Sequence, residues 1–122
     1  MHRAPLAMSV KNFHLHLVSD ATGETAITVV RSAVAQFSDV EVIEHLWSLV
    51  RSENQLKRVL SSVAANPGVV MFTLVNAELR QMLQEGCLAL DVPCIPLLDT
   101  AISALSRYLG VESLNLPGGQ HV

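Results

Sequence analysis

Short apolar runs alternate four times with longer segments of helical spacing, and that alternation constrains the fold of this chain more than any other feature. The first run, Phe13-His14-Leu15-His16-Leu17-Val18, stops at Ser19-Asp20, after which Ala26, Val29, Val30, Ala33, Val34 and Phe37 recur at helical spacing. The second, Val40 to Trp47, carries Glu41, Glu44 and His45 among apolar residues, as an edge strand does. Ser52 and Gln55 have capping-box spacing ahead of the stripe Leu56, Val59, Leu60 and Val63, and Asn66-Pro67-Gly68 stops that helix. Val69 to Leu74 is apolar on both faces and belongs at the centre of a sheet covered on each side. Asn76 is placed to cap a helix whose buried positions are Leu79, Met82, Leu83, Cys87 and Leu90, broken by Asp91-Val92-Pro93. A short strand, Cys94 to Leu98, follows, and Asp99 or Thr100 caps a last helix whose stripe is Ile102, Leu105 and Leu109, ending at Gly110. Joined by right-handed crossovers, these units predict a small doubly wound α/β fold: a four-stranded, mostly parallel sheet in the order 2-1-3-4 with helices on both faces.

The balance of residue types narrows the possible partners. Half of the 122 residues are hydrophobic and 16% are charged, with a net charge of -3, which excludes a disordered chain and a polyanion-binding surface. We therefore expect no nucleic acid and no membrane among the partners, and no apolar run nears the roughly 18 residues of a membrane helix. The N-terminus has no apolar stretch of secretory type, so a cytoplasmic protein is expected. Cys87 and Cys94 have neither a CxxC nor a zinc spacing and read as two reduced, largely buried thiols. Residues 1–12 read as a flexible leader, 13–110 as the α/β domain and 111–122 as the start of a linker.

A doubly wound order places any ligand at the C-terminal ends of the first and third strands. Ser19-Asp20-Ala21-Thr22-Gly23-Glu24-Thr25 occupies the first of those positions. A loop there offers free amides and hydroxyls at a helix N-terminus, which suits a phosphate or carboxylate, and Gly23 allows close approach. Asp20 and Glu24 oppose a dianion unless they turn away or hold a cation. The candidate anion-binding residues are thus Ser19, Asp20, Thr22, Gly23, Glu24 and Thr25, with Asn76, Asp99 and Thr100 as secondary candidates at other strand ends. The same residue types also serve structure alone: Thr22 as helix cap, Thr25 in its first turn, and Asp99 or Thr100 as a cap. His14 and His16 share a strand face and could offer two nitrogens to a metal, but no third ligand is evident and no metal is expected. The pattern Gly-x-x-x-x-Gly-Lys-Ser/Thr is absent, and the only lysines are Lys11 and Lys57.

The loop Asp-x-Thr-Gly-x-Thr also resembles the phosphate loop of flavodoxins, Thr-x-Thr-Gly-x-Thr, so a flavodoxin-like carrier of FMN is one alternative. A flavin needs aromatic platforms, and beyond three Phe the chain has only Trp47 and Tyr108. A closer resemblance covers Phe13 to His121. The opening strand with Ser19-Asp20-Ala21-Thr22-Gly23-Glu24-Thr25, the run Phe72-Thr73-Leu74-Val75, the run Val92 to Asp99, and Pro117-Gly118-Gly119-Gln120-His121 resemble the pyruvate, phosphate dikinase regulatory proteins and the related regulators of phosphoenolpyruvate synthase. That family's usual heptad has Ser where this chain has Ala21, which removes one hydroxyl. The resemblance implies a bacterial bifunctional serine/threonine kinase and phosphotransferase. It would inactivate the dikinase or the synthase by ADP-dependent threonine phosphorylation and reactivate it with inorganic phosphate, releasing pyrophosphate. It also implies that the nucleotide-binding P-loop lies in a C-terminal domain to which 111–122 would lead. No catalytic residue is therefore expected in these 122 residues, ADP and phosphate are expected only of the full-length protein, and this chain alone is expected to be inactive. Exposed apolar surface would permit a homodimer. The alternative from another class is a stand-alone, non-enzymatic module that binds a small anion or a protein partner at its strand ends.

Overall fold

The structure is a computed structural model and describes residues 11–114; the expected leader and linker lie mostly outside them. Strands β1 (Lys11–Ser19), β2 (Val40–Trp47), β3 (Gly68–Thr73) and β4 (Cys94–Pro96) alternate with helices α1 (Glu24–Val34), α2 (Glu53–Ala65), α3 (Ala77–Leu90) and α4 (Asp99–Leu109). All pairings are parallel and the sheet order is β2-β1-β3-β4, as the alternation predicts. Leu15 pairs with Glu44 on one side and with Val69 on the other, so β1 is internal and the mixed strand β2 is the edge.

Period-two alternation divides the core into two layers. Leu15 and Leu17 point to the α1 side and pack with Val30, Ile27 and Met71. Val18, Val70 and Phe72 point the other way, where Leu56, Val59 and Val63 of α2 and Leu79, Leu83 and Cys87 of α3 cover them. Each fully buried side chain of this kind contributes about 1.5–3 kcal/mol. Two close approaches between elements of the core depend on glycine. A Cβ on Gly68 would stand 2.0 Å from the carbonyl oxygen of His14, so the entry of β3 requires a bare backbone. Gly86 lets α3 approach α2, since its Cβ would meet the Leu60 methyls at 2.7 Å.

The helix ends differ in part from expectation. Ser52 does cap α2, accepting the Gln55 amide at 3.2 Å, while the Gln55 side chain reaches back to the amide of Arg51 at 2.8 Å. Asn76 caps α3 by accepting from the Leu79 amide at 2.9 Å. Thr22 does not cap α1: the N-cap is Gly23, whose positive φ of 92° aims the chain into the helix with no side-chain bond. Neither Asp99 nor Thr100 caps α4, which begins after Leu98 in the same uncapped way. The stripe Ile102, Leu105 and Leu109 is exposed and α4 buries no residue. The physical reason is that β4 is a three-residue edge strand, too short to give the stripe a sheet surface to cover. Phe37, Val29 and Leu90 are likewise exposed rather than buried. No helix among the described residues is long and apolar enough to cross a membrane.

Candidate functional site

The loop after β1 is sewn to the core by its own backbone and by one buried carboxylate. Asp20 is 5% exposed, its amide donates to Thr73 O at 3.3 Å, and its Oδ2 accepts the Val75 amide at 2.9 Å. The loop is thereby tied to the end of β3. On the other flank Arg51 Nε donates to Asp20 O at 2.8 Å, and the amides of Val50 and Leu49 donate to Ser19 O and Ala21 O, both at 2.9 Å. Ser19 Oγ accepts the Ala21 amide at 3.0 Å and closes the turn. Leu49 takes this position with φ 55°, a left-handed conformation rare for a leucine. Gly23 is buried against Leu46, which leaves Thr22, Glu24 and Thr25 facing outward at the start of α1.

This loop forms one wall of a cavity of about 290 Å³. The end of β3 and the residues after it (Phe72 to Val75) form the floor, and Leu98, Asp99, Ile102 and Ser103, at and within the start of α4, form the far wall. Between them stands Arg80. Its guanidinium lies over the Phe72 ring, 5.2 Å from the centroid, and donates from Nη1 to Leu74 O at 2.8 Å and from Nη2 to the Asp99 carboxylate. The structure therefore brings Ser19, Asp20, Thr22, Gly23, Glu24, Thr25 and Asp99 to one cavity; Asn76 and Thr100 do not line it. Asp20, Glu24 and Asp99 against Arg80 leave the lining acidic.

A family model that describes kinase/pyrophosphorylases matches residues 15–122 of this chain, which takes in every residue of the cavity. The chain belongs to the kinase/pyrophosphorylase family. Among the members it resembles, a protein of Paramagnetospirillum magneticum is 50% identical over 116 residues, covering 95% of this chain and 37% of that protein. One of Sphingopyxis alaskensis is 50% identical over 113 residues (93% of this chain, 42% of that protein), and one of Caulobacter vibrioides 52% over 109 residues (89% and 35%). All three carry the provisional name of pyruvate, phosphate dikinase regulatory protein. The chain spans about two fifths of the length of these curated relatives.

Sequence reasoning missed Arg80, Phe72 and Ser103 in this cavity. One signal could have found Arg80: it follows the Asn76 cap by four residues, so it sits one helical turn into α3, beside the C-terminal end of β3.

The histidines of the first strand do something else. His16 is fully buried and donates Nε2–H to Asn66 O at 2.9 Å, which fixes Nδ1 as the acceptor for the Trp47 indole at 3.4 Å. The His45 ring stacks on it with centroids 4.4 Å apart, and His45 Nε2 shares a hydrogen with His14 Nδ1 across 2.9 Å. Burial holds the His16 pKa below its usual value; the Asn66 bond opposes that, and the neighbouring His45 and His14 reinforce it. Among the described residues no group of three or more His, Cys, Asp or Glu side chains is placed to hold a metal ion. Cys87 is buried and Cys94 partly so, both free, and the hydrogen bond from Cys94 to Cys87, together with burial, pushes the Cys94 thiol well up from its usual range.

Proposed function

We propose that this chain is the N-terminal α/β part of a bifunctional serine/threonine kinase and phosphotransferase that regulates pyruvate, phosphate dikinase or phosphoenolpyruvate synthase, and that the cavity at the ends of β1 and β3 is its working site. The observation that carries this reading is that the family match takes in the whole cavity, whose first wall is the Ser19 to Thr25 heptad. The names of the relatives supply the target class. In the forward reaction a threonine hydroxyl of the target takes the terminal phosphoryl group of ADP, the bond to the leaving AMP breaks, and the hydroxyl proton passes to a base. In the reverse reaction inorganic phosphate takes the phosphoryl group from phosphothreonine, giving pyrophosphate and restoring the hydroxyl. This chain has no Gly-x-x-x-x-Gly-Lys-Ser/Thr segment, so its own contribution is to engage the target rather than to hold the nucleotide.

The residues of the cavity suit that division. Asp20, tied to Val75, keeps the loop rigid against β3, and the outward hydroxyls of Thr22 and Thr25 offer hydrogen bonds to an incoming segment. Among the described residues the one aromatic ring that lines the cavity is Phe72, and it lies under Arg80 rather than open to a flavin ring. Titration of the dikinase, and separately of the synthase, with this chain, followed by incubation with ADP labelled in its terminal phosphate, tests the reading. Binding without label transfer is the expected result. Label on the dikinase would show the chain active by itself, and absence of binding to both target enzymes would defeat the assignment.

A further inference from the structure

Arg80 is the one cation that lines the cavity among the described residues, and it already holds an anion. Two of its interactions are with β3 and the residue that follows it: the Phe72 ring beneath the guanidinium and Leu74 O on Nη1. Both residues belong to the buried core. The third is with Asp99 in the first turn of α4, a helix that buries no residue and starts without a side-chain cap. The guanidinium is thus fixed without help from Asp99, whereas Asp99 rides on the least anchored helix of the fold.

We propose, resting on the reading of this cavity as the working site, that the Asp99 carboxylate is a resident substitute for an oxyanion ligand. A phosphoryl or carboxylate group entering the cavity displaces Asp99 from Nη2 of Arg80 and takes the same charge-assisted bond. The other acidic groups do not forbid this. Asp20 is turned to the Val75 amide, and Glu24 is exposed, where water screens it. Glu24 and Thr25 of the first turn of α1 line the same cavity, and the dipole of that helix, which starts without a side-chain cap, favours an anion near its N-terminus. Ligand affinity is accordingly set by competition with Asp99, and occupation frees α4 from its ion pair with the body.

The test is a titration of this chain with inorganic phosphate, and separately with acetate, followed by amide chemical shifts. Asp99→Asn keeps the size and removes the competitor, so it is expected to bind the oxyanion roughly tenfold more tightly than the wild type, the worth of one hydrogen bond to a charged group. Tighter phosphate than acetate assigns the site to phosphoryl groups, and the reverse order to carboxylates. Arg80→Gln in the Asp99→Asn background is expected to lose the binding, and Arg80→Lys, which keeps a cation, to retain part of it; thermal melts confirm that each variant is folded. Equal affinity in wild type and Asp99→Asn, or binding that survives Arg80→Gln, overturns the proposal. The dikinase titration with the same variants separates the two readings. Oxyanion binding as expected, with dikinase affinity unaffected, would sustain the oxyanion site and remove the cavity from target engagement. Oxyanion binding that ignores both substitutions, with dikinase affinity abolished by Arg80→Gln, would do the opposite.

Discussion

Trp47 on the edge strand donates its indole N–H to Nδ1 of His16 on the neighbouring internal strand, at 3.4 Å, and so holds a fully buried imidazole in its neutral form. A proton on Nδ1 would remove that acceptor and place a cation in the core. Because the pKa of His16 is lowered from 6.5, the unfolded chain binds the proton more tightly than the folded one. The contribution of neutral His16 to stability is therefore complete above about pH 6.5 and declines as the pH falls below it, levelling off beneath the folded-state pKa. Urea midpoints from pH 8 to pH 5 should fall on the acid side, and His16→Gln should flatten that decline at the cost of a lower midpoint throughout. A decline of equal steepness in the variant would assign it to other groups.

The two close-approach glycines should respond very differently to one methyl group. In Gly68→Ala the new carbon meets backbone, the His14 carbonyl at 2.0 Å, and β3 must move away from β1. A loss of about 3 kcal/mol, or failure to fold, is expected. In Gly86→Ala the carbon meets the mobile methyls of Leu60 at 2.7 Å, and helix propensity returns about 1 kcal/mol, so the net change should stay within about 1 kcal/mol. Thermal melts of the pair decide it, and similar losses in both would contradict the packing described.

Removing the carboxylate that ties the loop to β3 should cost more than removing a surface charge. Asp20→Ala leaves the Val75 amide without its acceptor, and a loss of about 1–3 kcal/mol is expected. Asp20→Asn, whose side-chain oxygen can still accept, should recover most of it. Hydrogen exchange at Val75 offers a local readout, which should rise in the alanine variant alone.

The Cys94 thiol is partly exposed but held protonated by its bond to Cys87 and by burial. Alkylation by iodoacetamide at pH 8 should be slow in the folded chain and fast in urea, since the thiolate is the reactive form. In Cys87→Ser the oxygen remains a good acceptor and Cys94 should stay protected, whereas in Cys87→Ala it should react faster. Equal rates in the serine and alanine variants would show that the hydrogen bond has no part in it.

The sheet order was legible because β2 carries Glu41, Glu44 and His45 while Val69 to Leu74 is almost wholly apolar, and those patterns report edge and centre directly. The position of the loop wall was legible too, since the strand order of a doubly wound sheet fixes where its crevice opens. The far wall was not. The stripe Ile102, Leu105 and Leu109 has helical period, but period reports amphipathicity and not whether a surface exists to cover it; β4 is too short to provide one. The capping roles of Thr22 and Asp99 failed for a related reason. Gly23 in a left-handed conformation replaces a side-chain cap, and Asp99 is drawn to Arg80 by a charge 19 residues away that no local pattern shows. His16 gave no sign in the sequence of its bonds to Trp47 and Asn66, which come from strand register and from a helix end 50 residues on.

Whether the cavity engages a target enzyme is tested most directly by Thr22 and Thr25, which line it, are exposed, and stand at the outward start of α1 where the fold does not rest on their hydroxyls. Thr22→Val with Thr25→Val keeps their shape and removes both hydroxyls. Calorimetric titration of pyruvate, phosphate dikinase should then show a Kd weakened roughly tenfold against the wild-type chain, with an unchanged thermal midpoint. An unchanged Kd would contradict the account.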